Sequence, residues 1–203
     1  MTALFSTAYL PPVSYVAKIM QHTDIQIETK ETFPKQTYRN RTIIMTANGI
    51  MSLSVPVLRD NHSHTEEVRI DYKERWNVIH LRTLTAAYSA SPFFLYYKDA
   101  LESLLMKRYD RLVDLNQSLL TWLLKCMKTD CNIEFTSEWQ SPGSIPDDYR
   151  NVFSPKKATP LPCQFPTYYQ VFSDRFPFAP DLSIIDLLMN LGPEARDYLK
   201  KIC

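Results

Sequence analysis

Glycine is nearly absent from this sequence, with three among 203 residues, at Gly49, Gly143 and Gly192. Three scattered glycines cannot build a glycine-rich phosphate cradle, and neither a Walker loop nor GxGxxG occurs. GxSxG elbows and zinc-protease helices are missing as well. Charge of one sign is lacking too: 23 Lys and Arg balance 22 Asp and Glu, for a net charge of +1. A balanced chain offers no broad basic field, so no nucleic-acid partner is expected. The apolar runs fall well short of the roughly 18 residues that span a bilayer, so no transmembrane segment is expected. The opening MTALFSTAYLPP has neither a basic n-region nor a long apolar stretch, so no signal peptide is expected and the expected location is cytoplasmic. Cysteine is sparse: Cys126, Cys131, Cys163 and Cys203 form no CxxC pair and no zinc-like cluster. Four reduced thiols are the expectation, because free Cys behaves as a small hydrophobe.

What is present is ordinary globular material. Hydrophobic residues make up 45% and charged residues 22%, enough for a core that needs no staples. TALFST reads as a strand. Val13, Val16, Ala17 and Met20 then form one helical face after Pro11 and Pro12, and DIQIE reads as a second strand. Strand, helix and strand in succession signal a βαβ unit. Two β-rich runs flank Ala47-Asn48-Gly49, a hairpin signal. Trp76, His80, Leu84 and Tyr88 recur every four residues on one helical face. One long helix is expected over roughly Tyr97 to Lys125, followed by a short strand in CNIEFT. From Ser137 the chain is Pro-rich and irregular; Trp139, Tyr149, Phe153 and Phe165 imply packing on the body, and TYYQVF allows a last strand. DLSIIDLLMNLG is a helix with a capping box at Ser183 and Asp186, and PEARDYLKKI closes the chain. The expected fold class is mixed α/β: a small central sheet opened by the βαβ unit, long helices packed on it, and a Pro-rich C-terminal extension ending in two helices. Residues 1–136 form the core, and residues 137–203 wrap it within the same domain.

Three stretches carry the candidate chemistry. The loop between the first strand and helix bears Tyr9 and Tyr15, at a point where α/β folds place ligands. Segment 30–41 interleaves Lys30, Lys35, Arg39 and Arg41 with Phe33 and Tyr38, suited to phosphate or carboxylate and to planar rings. The face with Trp76 and His80 supplies an imidazole, the group most easily tuned for proton transfer near neutral pH. Each has a plain alternative: tyrosines at a core rim, a solvated basic loop, and a core-edge histidine bonded to a backbone carbonyl. His62 and His64 would share a strand face, but a third ligand is missing, so no metal is expected.

Taken in order, AYLPPVSYV, HTDIQIE, KQTYRNR, LSVPV, IDY, Trp76-x3-His80, and AY with SPFF resemble the WbqC-like protein family. YYQVF, LSIIDLL and NLGPEA resemble the C-terminal part of one branch of it, so the resemblance runs from Ala3 to Leu199. The family opening resembles QPxYLPWLGYF; Tyr9, Pro11 and Tyr15 match it, while Ser6, Thr7, Pro12 and Ser14 depart. Asn40, Arg41 and Phe33 match the next stretch, but Thr29 and Lys30 stand where two acids are common, with Glu28 and Glu31 close by. The resemblance implies a role in surface polysaccharides such as O-antigen, with no established reaction and no named cofactor. It adds possible association with other enzymes of that synthesis. The leading reading is a group transferase acting on a nucleotide-linked or carrier-linked sugar. Arg41 and Lys35 would bind phosphate or carboxylate, Asn40 would orient the ligand, Tyr9, Tyr15 and Trp76 would contact it, and His80 would act as general base. The alternative is a non-catalytic module that binds a sugar intermediate or a partner enzyme.

Overall fold

The computed structural model describes residues 2–60, 62–156 and 162–202. The opening apolar run forms β1 (Ala3–Ser6), the 3.6-residue period forms α1 (Val13–Ile19), and DIQIE forms β2 (Asp24–Glu28). The hairpin is β3 (Arg41–Thr46) and β4 (Gly49–Ser54), paired antiparallel with Thr46 opposite Gly49. Short strands β5 (Val57–Leu58) and β6 (Arg69–Ile70) pair next. The helices α2 (Trp76–Tyr88), α3 (Phe94–Met106) and α4 (Leu112–Cys126) follow, then β7 (Asn132–Phe135). The chain closes with α5 (Ile184–Leu191) and α6 (Ala195–Ile202).

The central sheet is parallel, in the order β1-β2-β7, so the chain opens with the βαβ unit and the class is mixed α/β. All four β1 residues are buried, as parallel strands covered on both faces are. The outer edge of β1 is covered by the Pro-rich segment: Leu4 N donates to Asp147 O and Tyr149 N to Leu4 O, both at 2.8 Å. That pairing delivers Arg150 to the carboxyl end of the sheet. The loop of Thr7 to Pro12 is buried throughout and stitched to the chain's far end. Leu10 O accepts from Thr42 Oγ1 at 2.7 Å and Ser183 Oγ at 3.0 Å, and Pro11 O accepts from Ile184 N at 2.8 Å. Gly192 stops α5 at φ +55, and a Cβ there would lie 2.4 Å from the Phe93 ring, so only glycine fits.

Five expectations need correction. The single helix over Tyr97 to Lys125 is two helices with a break at residues 107–111. There the chain extends to bond with the β6 region, with Ile70 N on Asp110 O at 3.0 Å, Leu112 N on Val68 O at 2.9 Å, and Tyr72 Oη accepting from Tyr109 N at 3.0 Å. These pairings outweigh a local helical period that no Pro or Gly interrupts. TYYQVF is not a strand; the Gln170 side-chain amide instead makes the two-way bond with Ala179 N and O, each 3.0 Å, that a neighbouring strand would make. The capping box is half formed. Ser183 Oγ accepts from Ile185 N, but Asp186 is buried and accepts from Tyr168 Oη at 2.6 Å and Gln170 Nε2 at 2.9 Å. Trp139 is exposed rather than packed, whereas Tyr149, Phe153 and Phe165 pack on the core. Finally, Cys126 and Cys131 are free thiols but Cys163 is disulfide-bonded.

Candidate functional site

Charged side chains are buried and ion-paired at the carboxyl end of β1 and β2. Glu28 ends β2 with no exposure at all. Its carboxylate accepts from Lys30 N at 2.8 Å, Thr136 Oγ1 at 2.9 Å, Gln140 N at 3.0 Å and Arg150 Nη1 at 3.3 Å. Arg150 also binds Asp148, and that bond holds the Asp148 carboxyl below its usual range. Arg39 lies alongside, with Nε on Glu31 at 2.8 Å and Nη2 on Ser6 Oγ at 2.8 Å. The Ser6 hydroxyl donates in turn to Arg150 O at 2.7 Å, joining the two arginine groups. Burial pushes the Glu31 carboxyl up, against the opposing pull of Arg39. Two guanidiniums and three carboxylates thus share one dry end of the sheet. Isolated charges are not tolerated there, so each is paired. Arg39 Nη1 is the guanidinium nitrogen of that residue with no partner among the described residues.

Two cavities lie beside this cluster. A void of about 10 Å³, room for about one water, is lined by Ser6, Tyr15, Tyr38, Arg39, Arg150 and Phe153. A pocket of about 330 Å³ is lined by Ile43, Lys156, Asp181 and Leu182, and again by Tyr38 and Phe153. The two aromatic rings therefore stand between the buried arginines and the outer pocket. A larger groove of about 820 Å³ runs past Thr23, Lys125, Cys131 and Asn132, at the amino ends of β2 and β7. Parallel α/β sheets bind at their carboxyl ends, where the paired charges also lie, so the smaller cavities are the candidate site.

The residues expected from sequence do not form one site. Tyr9, Trp76 and His80 do meet, in the core: Tyr9 Oη and His80 Nδ1 are 2.9 Å apart, and the Trp76 and His80 rings are 5.1 Å apart. His80 is 4% exposed and burial drives its pKa down to about 4, with a backbone hydrogen bond at Ser54 as a smaller opposing effect. Its imidazole is therefore neutral at pH 7. Tyr15 turns away from them and donates to Ser6 O at 2.7 Å, with its ring against Phe5 and Phe153. Burial pushes both tyrosine hydroxyls far up. Asn40 Nδ2 bonds Val55 O at 2.9 Å and Arg41 Nε bonds Ser54 Oγ at 3.2 Å, at the base of the hairpin. Lys35 is exposed. Of the seven, only Tyr15 lines either cavity. His64 Nδ1 contacts Lys30 O rather than a metal, and among the described residues no group of three or more His, Cys, Asp or Glu could hold one. Arg150 and Asp181 were missed altogether, and Arg39 was named in the basic segment but given no role. The one signal for Arg150 was the charged DDYR run inside a Pro-rich stretch.

Glu28 and Glu31 flank the positions where the sequence lacks the family's two acids, and both fall in the buried cluster. The model of the WbqC-like protein family matches residues 7–161. The chain belongs to the WbqC-like family. This family segment contains every member of the buried cluster except Ser6, which precedes it by one residue. The chain is also similar to an uncharacterized protein of Mycobacterium tuberculosis, at 24% identity over 95% of this chain and 91% of the relative. No solved structure matches the chain significantly. Among the described residues no helix is long and apolar enough to cross a membrane.

Proposed function

We propose that this protein binds a phosphate-bearing sugar intermediate of surface-polysaccharide synthesis and takes part in a group transfer on it. One observation carries the reading. Two buried guanidiniums, fixed by carboxylates at the carboxyl ends of parallel strands, line a void under an aromatic-walled pocket. Preorganised arginine recognises phosphate, and Arg39 Nη1 is the free donor for it. Rotation of Tyr38 or Phe153 would join void to pocket and bring a phosphate to that nitrogen while a sugar ring lies against the aromatic faces. In a transfer of this kind the bond between the sugar and its phosphate breaks. The acceptor's oxygen or nitrogen takes the sugar carbon and gives up its proton to water, and the phosphate leaves with the electron pair, accepting a hydrogen bond from the Arg39 guanidinium. The pathway comes from the family resemblance.

A binding module without turnover is the second reading, favoured by the burial of His80 away from both cavities. Deleting the gene and weighing the repeat unit of the host's surface polysaccharide tests the pathway. We expect a changed or missing unit, restored by the wild-type chain and not by an Arg39→Met chain of equal abundance. A repeat unit of unchanged mass would overturn the proposal.

A further inference from the structure

The outer pocket holds a carboxylate with no counter-ion among the described residues. Asp181 Oδ1 accepts from Ser14 N and Oδ2 from Ser14 Oγ, both at 2.8 Å. Both donors are neutral, and among the described residues no Lys, Arg or His pairs with this carboxylate. Lys156, on the pocket wall, is exposed and makes no ion pair with it. Each carboxylate oxygen has two acceptor sites and uses one, so capacity remains toward the pocket. The backbone holds Asp181 at φ +55, a left-handed conformation that only Gly, Asn and Asp adopt readily. Tyr38 and Phe153 supply flat apolar walls, and Ile43 and Leu182 close the pocket.

We propose that Asp181 receives a protonated amine, so that the sugar held in this pocket is an amino sugar. The inference rests on the reading of this cleft as the ligand site and names the class of sugar. A desolvated negative charge held only by neutral donors is stabilised most by a cation. Capping of α1 accounts for the two Ser14 bonds but not for a carboxylate on a pocket wall. Burial raises the Asp181 pKa to about 6, which fits a charge still awaiting its partner. The Tyr38 hydroxyl is pushed up by burial and by that same charge, and both residues line this pocket.

The test is titration calorimetry with glucosamine 1-phosphate, N-acetylglucosamine 1-phosphate and glucose 1-phosphate, on the wild-type chain and on Asp181→Asn. Asparagine keeps an acceptor for Ser14 N and tolerates the left-handed backbone, so the variant should fold; its melting curve verifies this. We expect the wild type to bind the amine at least tenfold tighter than either other sugar phosphate, and the preference to fall to about twofold or less in Asp181→Asn. Equal binding of all three by the wild type, or an amine preference that survives in Asp181→Asn, overturns the inference and leaves the cleft itself supported. Binding of none overturns both.

Discussion

Glu28→Ala should lower the free energy of unfolding by about 3–5 kcal/mol, read from denaturant curves. The carboxylate is fully buried and holds four donors, among them Arg150 Nη1 and the backbone N–H groups of Lys30 and Gln140. Its removal leaves a guanidinium short of its counter-charge and strands two part-buried amides, each with its own desolvation cost. Against a typical total stability of about 5–15 kcal/mol, that loss is a large fraction. Glu28→Gln keeps the shape and part of the bonding, so its loss should be smaller. The double variant Glu28→Ala with Arg150→Met should recover part of the loss, because no buried guanidinium is left without Glu28; Asp148, which loses Arg150 as well, is partly exposed and limits the recovery. A Glu28→Ala loss below about 1 kcal/mol would mean that water reaches the cluster, contrary to this account.

His80→Ala should be nearly as costly, at about 3–4 kcal/mol, because it opens a core cavity and strips the Tyr9 hydroxyl of its partner. It should also change the pH profile. With a folded pKa of about 4 against about 6.5 unfolded, the unfolded chain binds the extra proton between those values. Wild-type stability therefore contains a contribution present above pH 6.5 and lost as pH falls toward 4, worth about 3 kcal/mol. The gap between wild type and His80→Ala should close by that amount over the same window. Other acid groups titrate there, so the difference between the two proteins is the quantity to read. A variant of unchanged stability that had lost only turnover would return His80 to the general-base role expected from sequence.

Legibility followed locality. Strands β1, β2 and β7, the hairpin at Ala47-Asn48, and the buried face of Trp76, His80, Leu84 and Tyr88 were all readable, because each is written in adjacent residues. The break between α3 and α4 was not. Leu101, Leu104, Leu105, Leu112 and Leu115 keep one helical period across it, and the bonds of Asp110 and Leu112 to the β6 region decide the matter. The site failed for the same reason on a larger scale. Glu28 and Arg150 are 122 positions apart, and the tail brings them together only by pairing with the edge of β1. Segment 30–41 was chosen correctly as a stretch but read at the wrong residues: Arg39 points inward to Glu31 and Ser6, whereas Lys35 and Arg41 stay at the surface or the hairpin base. Alternation of exposed and buried side chains in an irregular loop has no period to follow. The Trp76–His80 face looked functional because it mixes polar and aromatic groups. Tyr9, 71 positions from His80, satisfies the imidazole inside the core.

The most direct test of the central claim, that the carboxyl end of β1 and β2 is the ligand site, is a thermal-shift titration. Nucleotide-linked sugars would be run against the wild type, Phe153→Ala and Arg41→Ala. A ligand at about 100 times its Kd adds roughly 2.7 kcal/mol, or about 5–10 °C for a chain of this length. The account predicts a shift in the wild type that persists in Arg41→Ala and disappears in Phe153→Ala. A shift that survives in Phe153→Ala and vanishes in Arg41→Ala would contradict it and put the ligand at the base of the hairpin.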